Sequence, residues 1–179
     1  MKSSVLACIK LCALSKVLCF EIAYFSYTNT CVSKKKHMKE IESAKYYFIT
    51  GINEPEDNSL EFELICGIVS EKEEDVFIGN QNLGPARPIL MNDDYKYKIK
   101  FDSYIGYSVL DESYADKLGD DFIGHNPRIY SNSNFLDYIK SDTFATKDYP
   151  GEFKHYAFLS ENHILNIAAE SEPKIEKIK

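Results

Sequence analysis

The feature that most constrains the fold is a strict alternation of side chains between residues 95 and 101. Apolar residues occupy every second position and lysines stand between them: Tyr95, Tyr97, Ile99 and Phe101 alternate with Lys96, Lys98 and Lys100. Successive side chains of a β-strand point to opposite faces of its sheet. The pattern therefore predicts a strand with one face turned to a core and a lysine face turned to water, as is typical of antiparallel sheets.

Other segments also have the composition of strands. Their β-branched and aromatic residues predict strands at 45–52, 60–69, 104–110, 128–130, 156–159 and 164–168. We expect the first two to form a hairpin and the last two to be joined through Ser160-Glu161-Asn162. The segment 104–110 is expected to pair with the alternating strand at 95–101.

Three segments predict irregular structure. Two Gly and two Pro predict a loop over residues 79–88, and Asn92-Asp93-Asp94 predicts a turn. The charged tail from Glu170 onward is expected to be partly frayed.

One helix is predicted to begin at Ser133 or Asn134. Asn134 can cap it, and Phe135, Leu136 and Ile139 share one helical face. The predicted strands outnumber the helices and do not alternate with them. This order predicts an α+β fold, with a mainly antiparallel sheet and one or two helices in a single domain, rather than a doubly wound nucleotide-binding fold.

Residues 1–37 differ in composition from the rest of the chain. They hold six Lys, one Glu and four of the five Cys, whereas residues 38–179 hold 15 basic and 27 acidic residues. We therefore interpret 1–37 as an atypical N-terminal extension and 38–179 as an acidic α+β domain. Cys66 is the one cysteine of that domain. It fits a buried thiol in a reducing compartment, so a cytoplasmic location is expected.

Three interpretations of the extension stay open. A secretory signal is one, although Lys10 and Lys16 interrupt its apolar stretch. A membrane helix over 5–25 has a suitable length, but two Lys and one Glu inside it are expensive in lipid. Membrane contact is thus expected only if residues 1–25 insert. The third interpretation is that the native protein starts at Met38 and the upstream residues are a gene-model extension.

Charge and a shortage of arginine narrow the choice of partners. The net charge is −7, and the only two Arg are Arg87 and Arg128, so nucleic acid is not expected as a partner. Residues 53–94 hold 11 acids against two basic residues, and a second acidic stretch covers 111–121. Solubility alone explains many acidic proteins, but such a surface also steers basic proteins. The residues predicted to bind a basic partner are Glu71, Glu73, Glu74, Asp75, Asp120 and Asp121.

Catalytic and cofactor chemistry receives little support. The glycines form neither a dinucleotide-binding nor a phosphate-binding motif, so no cofactor is predicted, and Ser108 lacks the second glycine of a nucleophile elbow. His155 and His163 are the metal candidates if they face the same side with Glu161. Packed, hydrogen-bonded histidines are the favoured interpretation of both. An enzyme with a dispersed site around these two residues or the loop residue His125 is the alternative function.

The C-terminal third carries a series of short segments: Arg128-Ile129-Tyr130-Ser131, Asn134–Ile139, Thr143-Phe144-Ala145, Tyr149-Pro150-Gly151, Lys154-His155-Tyr156, Asn162–Ile167 and Glu172-Pro173. This series resembles small uncharacterised acidic bacterial proteins, some of which resemble immunity proteins of polymorphic toxins. The resemblance implies a compact cytoplasmic α+β protein that neutralises a toxin, with no catalytic residues to transfer. Together with the charge pattern, it predicts a non-catalytic protein-binding module, specifically an immunity-type inhibitor of a basic partner.

Overall fold

The structure is a computed structural model that describes residues 36–115 and 121–178. Almost all of the N-terminal extension lies outside the described residues, so its three interpretations stay predictions. The described elements follow one another as α1 (residues 36–43), β1 (Tyr46–Asn53), β2 (Leu60–Val69), β3 (Glu74–Ile78), β4 (Gln81–Ala86), β5 (Ile89–Phe101), β6 (Gly106–Asp111), a 3-10 turn (Glu112–Tyr114), β7 (Arg128–Tyr130), α2 (Asn134–Asp142), β8 (Lys154–Leu159), β9 (His163–Ala169) and β10 (Lys174–Lys177).

The strands form two four-stranded sheets and one two-stranded ribbon. The first sheet has the order β1-β2-β5-β10, the second has the order β6-β9-β8-β7, and β3 pairs with β4. All of these pairings between strands are antiparallel. The prediction of an α+β fold with mainly antiparallel sheet is therefore confirmed. Within the described residues, neither helix is long and apolar enough to cross a membrane.

The two large sheets pack face to face over an aromatic core. Phe62 of β2 meets Phe158 of β8 edge-on, with ring centroids 4.9 Å apart, and Phe101 of β5 meets Tyr156 of β8 at 5.3 Å. Tyr97, Ile99 and Phe101 of β5 are fully buried, as their alternation predicts, whereas Tyr95, at the start of the same pattern, is 43% exposed. Edge-to-face geometry suits such rings because the positive edge of one contacts the negative face of the other.

Helix α2 covers the opposite face of the second sheet. Leu136 and Ile139 are buried against Ala168 of β9, which confirms the predicted helix and its apolar face. The cap is Ser133 rather than Asn134: its Oγ accepts a hydrogen bond from the backbone N–H of Leu136 at 3.2 Å. The described residues thus stack as sheet, sheet and helix.

The solvent face of the first sheet consists of neighbouring opposite charges. Lys96 Nζ lies 2.6 Å from Glu63 Oε2, and Lys98 Nζ lies 3.2 Å from Glu61 Oε1. The hydrogen bond from Lys96 lowers the pKa of Glu63. The lysine face of β5 is therefore matched by the glutamate face of β2.

One predicted pairing is wrong, and so is the prediction of a frayed tail. Strand β6 pairs with β9 through Gly106↔Ala168 and does not return to β5. The place beside β5 is taken by β10, where Ile175 pairs with Ile99 and packs against the core. The tail is consequently a strand rather than a frayed end, because Ile175 gains apolar contact and its backbone completes the edge of β5.

Candidate partner-binding arm

A long two-stranded arm extends the first sheet through residues 67–91; we call this segment the β-arm. Its base is formed by β2 and β5, with Gly67 opposite Met91 and Val69 opposite Ile89. Ser70 N–H then donates to the Pro88 carbonyl at 2.8 Å. Strands β3 and β4 continue the pairing up to the tip, and every residue of β3 is exposed.

The β-arm corrects two predictions. The segment 79–88 is not a loop, since it contains β4. Its tip is a two-residue turn at Gly79-Asn80, with Gly79 at φ 59° as a tight hairpin turn requires. Residues 92–94 do not end a strand, because β5 continues through them with a shift in register between Gly67↔Met91 and Ile65↔Lys96. Such a bulge absorbs extra residues without breaking the sheet.

A run of apolar side chains lies exposed on the arm. Phe77 and Ile78 are 59% and 69% exposed, and Val76 and Leu83 are exposed beside them. The exposed apolar residues continue toward the base as Ile68, Val69, Leu90 and Met91. Exposed large apolar residues are ordinary when they occur singly, so their number on this one arm makes it the candidate for an interaction surface.

Four of the six predicted partner-binding acids lie on the arm. Glu71, Glu73, Glu74 and Asp75 are all exposed between its base and its apolar tip. Among the described residues, these four acids have one ion-pair partner: Arg87, whose Nε lies 3.5 Å from Glu73 Oε1.

The other two predicted acids are elsewhere in the chain. Asp121 is exposed ahead of β7, at the edge of the second sheet, and Asp120 lies outside the described residues. Glu56, Glu61 and Glu63 also belong to the acidic stretch 53–94, but lysines of β5 pair with all three. On the β-arm, the four acids stand against Lys72 and Arg87, which gives residues 67–91 a net charge of −2. The domain also exposes acids off the arm, such as Asp93 and Asp94.

The register of β8 and β9 separates the two histidines proposed as metal ligands. His155 pairs with Ala168 and Leu159 pairs with Ile164, so His155 shares a face with the even-numbered residues of β9. His163 lies on the other face. The expectation that the two imidazoles face the same side is therefore wrong. Across the described part of the chain, no group of three His, Cys, Asp or Glu residues is arranged to hold a metal ion.

His155 forms a buried polar line that sequence reasoning missed. Its Nδ1 lies 3.0 Å from Ser133 Oγ and its Nε2 lies 2.9 Å from Asn166 Oδ1. Asn166 Nδ2 donates to Ser108 Oγ at 3.4 Å, so the Asn166 oxygen faces the imidazole and accepts from Nε2–H. Nδ1 then accepts a hydrogen bond from the Ser133 hydroxyl group.

A hydroxyl, an imidazole and an amide in line resemble the parts of a nucleophilic site, but the surroundings indicate a structural role. His155 is fully buried, is stacked on Tyr130 with centroids 4.9 Å apart, and lies 4.9 Å from the Phe135 ring. Burial lowers the pKa of His155 to about 4. An imidazole this hard to protonate is a weak general base near neutral pH, and Asn166 carries no charge to stabilise an imidazolium.

His125 lies in a different setting from the other two histidines. It lines an open cleft of about 250 Å³ together with Glu112, Arg128 and Glu161. Arg128 Nε is buried and has no hydrogen-bond partner in the part of the chain that the structure describes. The cleft thus combines an imidazole, a guanidinium and two carboxylates.

Comparison of the chain with models of protein families, with curated proteins and with solved structures found no significant match.

Proposed function

We propose that residues 38–179 are a single, non-catalytic domain that binds a basic protein through the β-arm. The observation that supports this most directly is the arm itself, on which Phe77 and Ile78 stay in water beside four exposed acids. The proposal extends to an immunity-type inhibitor that masks a basic toxin in the bacterial cytoplasm.

The two parts of the β-arm have different tasks in this proposal. The acids attract a basic partner over roughly 10 Å at moderate salt and speed its approach. The apolar tip supplies affinity, since covering an exposed large apolar side chain contributes about 1–2 kcal/mol. The ribbon has only two strands, so β3 and β4 each also present one edge for backbone pairing with the partner.

The test is affinity capture from the native host with the full chain and three matched variants. One variant removes the apolar tip (Phe77→Ser with Ile78→Ser). A second removes arm charge (Glu73→Gln, Glu74→Gln and Asp75→Asn). The control makes the same charge change at exposed acids off the arm: Asp57→Asn, Asp148→Asn and Glu161→Gln.

We expect one basic protein to be retained by the wild-type chain and by the control, and to be lost with the tip variant. The charge variant should slow association by about tenfold or more at low salt and have little effect at high salt. Equal capture by the tip variant and the wild-type chain would refute a role for the β-arm.

The second candidate function is an enzyme centred on His125, favoured by the cleft that this residue shares with Glu112 and Glu161. A hydrolase substrate panel run on the wild-type chain and on His125→Ala tests it. Turnover that is present in the wild type and absent in the variant would support this function, and no turnover in either would end it.

A further inference from the structure

A second concave site lies next to α2, on the face of the second sheet that this helix covers. The cavity has a volume of about 550 Å³ and is lined by residues of α2, of the loop that follows it and of the start of β8. We call it the α2 cavity and define it by Leu136, Lys140, Ala145, Lys147, Phe153 and Lys154. Its volume falls in the range of small-molecule sites, which is roughly 300–1,000 Å³.

The charge of the α2 cavity is opposite to that of its domain. Residues 38–179 hold 27 acids against 15 basic residues, yet three lysines and one acid, Glu152, line this cavity. Lys154 makes no ion pair with any described residue, and Lys140 lies 3.7 Å from Asp137. Lys147 lies 3.4 Å from Glu152, and both of these side chains are more than 80% exposed. Exposed pairs of this kind contribute little, so the lysines can turn to a bound anion at small cost.

The floor of the cavity is apolar. Leu136 and Ala145 are buried, and Phe153 is half-buried beside them. In the loop that follows α2, Phe144 and Tyr149 stack on each other with centroids 5.9 Å apart, and both rings are largely exposed. Apolar walls with a few converging charged groups are the usual construction of a site for an organic ligand.

We propose that the α2 cavity binds a small organic anion that has an aromatic or aliphatic body and one carboxylate or phosphate group. The body would cover Leu136, Ala145 and Phe153, and the anionic group would lie among Lys140, Lys147 and Lys154. The β-arm takes no part in this site, so the inference does not depend on the proposed protein-binding function.

The test is a nuclear magnetic resonance titration of the full chain, uniformly labelled with nitrogen-15. The probes are phenyl phosphate and benzoate, with inorganic phosphate and benzyl alcohol as the separate halves of the ligand. We expect at least one aromatic anion to bind with millimolar affinity or better and to shift the amide signals of the cavity residues. The comparison of phenyl phosphate with benzoate then identifies the anionic group.

Variants distinguish specific binding in the α2 cavity from nonspecific attraction of an anion to surface lysines. Replacing Lys147→Gln and Lys154→Gln should weaken binding by about tenfold, because two charge-assisted contacts are lost. The single change Lys174→Gln, on β10 of the first sheet, removes a lysine outside the cavity and should leave the affinity unchanged. The tip variant of the β-arm should also bind normally.

Three results would overturn the proposal. The first is that neither aromatic anion binds. The second is that inorganic phosphate or benzyl alcohol alone binds as tightly as the aromatic anions. The third is that Lys174→Gln lowers the affinity as much as the cavity variant does.

Discussion

The side chain of Asn162, in the turn between β8 and β9 of the second sheet, binds both backbone groups of Ile49 in β1 of the first sheet. Asn162 Oδ1 accepts from the Ile49 N–H at 3.0 Å, and Asn162 Nδ2 donates to the Ile49 carbonyl at 2.7 Å. Beside this pair, Glu161 N–H donates to the Tyr47 carbonyl at 2.8 Å. The β8–β9 turn thereby covers the free edge of β1 and joins the two sheets.

Asn162→Ala should lower the free energy of unfolding by about 1–3 kcal/mol, since it leaves two backbone groups of β1 without their partner. Urea denaturation measures the change. Glu161→Ala is the matched control, because Glu161 contributes only its backbone N–H and its side chain is exposed. Equal loss in both variants would contradict a specific role for the Asn162 amide.

Ser133→Ala should lower the free energy of unfolding by about 1–2 kcal/mol. The change removes the cap of α2 and the hydroxyl that bonds His155 Nδ1. Thermal unfolding followed by circular dichroism measures the loss. Rapid labelling of Ser133 by a fluorophosphonate would instead indicate an activated nucleophile and contradict the structural role.

Stability should fall between about pH 6.5 and pH 4 because of His155. Burial lowers the pKa of His155 to about 4 in the folded protein, so the unfolded chain binds this proton more readily. Its neutral form therefore contributes stability that is complete above pH 6.5 and is lost as the pH falls toward 4, by up to ~3 kcal/mol. Urea denaturation at several pH values gives the free energy of unfolding as a function of pH. This dependence should be weaker for His155→Gln than for the wild type. Identical slopes would contradict the prediction.

Gly67→Ala should destabilise the base of the β-arm by about 1–3 kcal/mol. An added Cβ would lie 2.9 Å from Tyr46 Cβ and 3.0 Å from Ile89 Cγ2, closer than packed carbon atoms approach. A lower denaturation midpoint with an unchanged slope is the expected result. An unchanged midpoint would show that β1 and β5 can move apart without cost.

The tip variant Phe77→Ser with Ile78→Ser should leave the free energy of unfolding within about 0.5 kcal/mol of the wild type, because both side chains already contact water. Urea denaturation checks this. A large loss of stability would show that these residues pack within the protein. They would then not be free to bind a partner.

The sequence on its own determined the strands and the helix in which buried and exposed residues follow a regular period. The alternation of Tyr97, Ile99 and Phe101 with lysines identified β5 and the orientation of both its faces. The strand composition of 60–69 and the apolar face of α2 likewise identified β2 and the helix. These predictions succeeded because the side-chain period of an element is set by its own backbone geometry.

The tertiary structure alone decided which strands became neighbours and where charges and polar groups met. Nothing local distinguishes β9 from β5 as the partner of β6, and β10 is a strand only because Ile175 finds the core beside Ile99. The acids of β2 are paired with lysines more than 30 residues away, whereas Glu71, Glu74 and Asp75 of the β-arm have no such neighbours among the described residues. Such pairings depend on contacts between distant segments, so their energy appears only when the chain is folded.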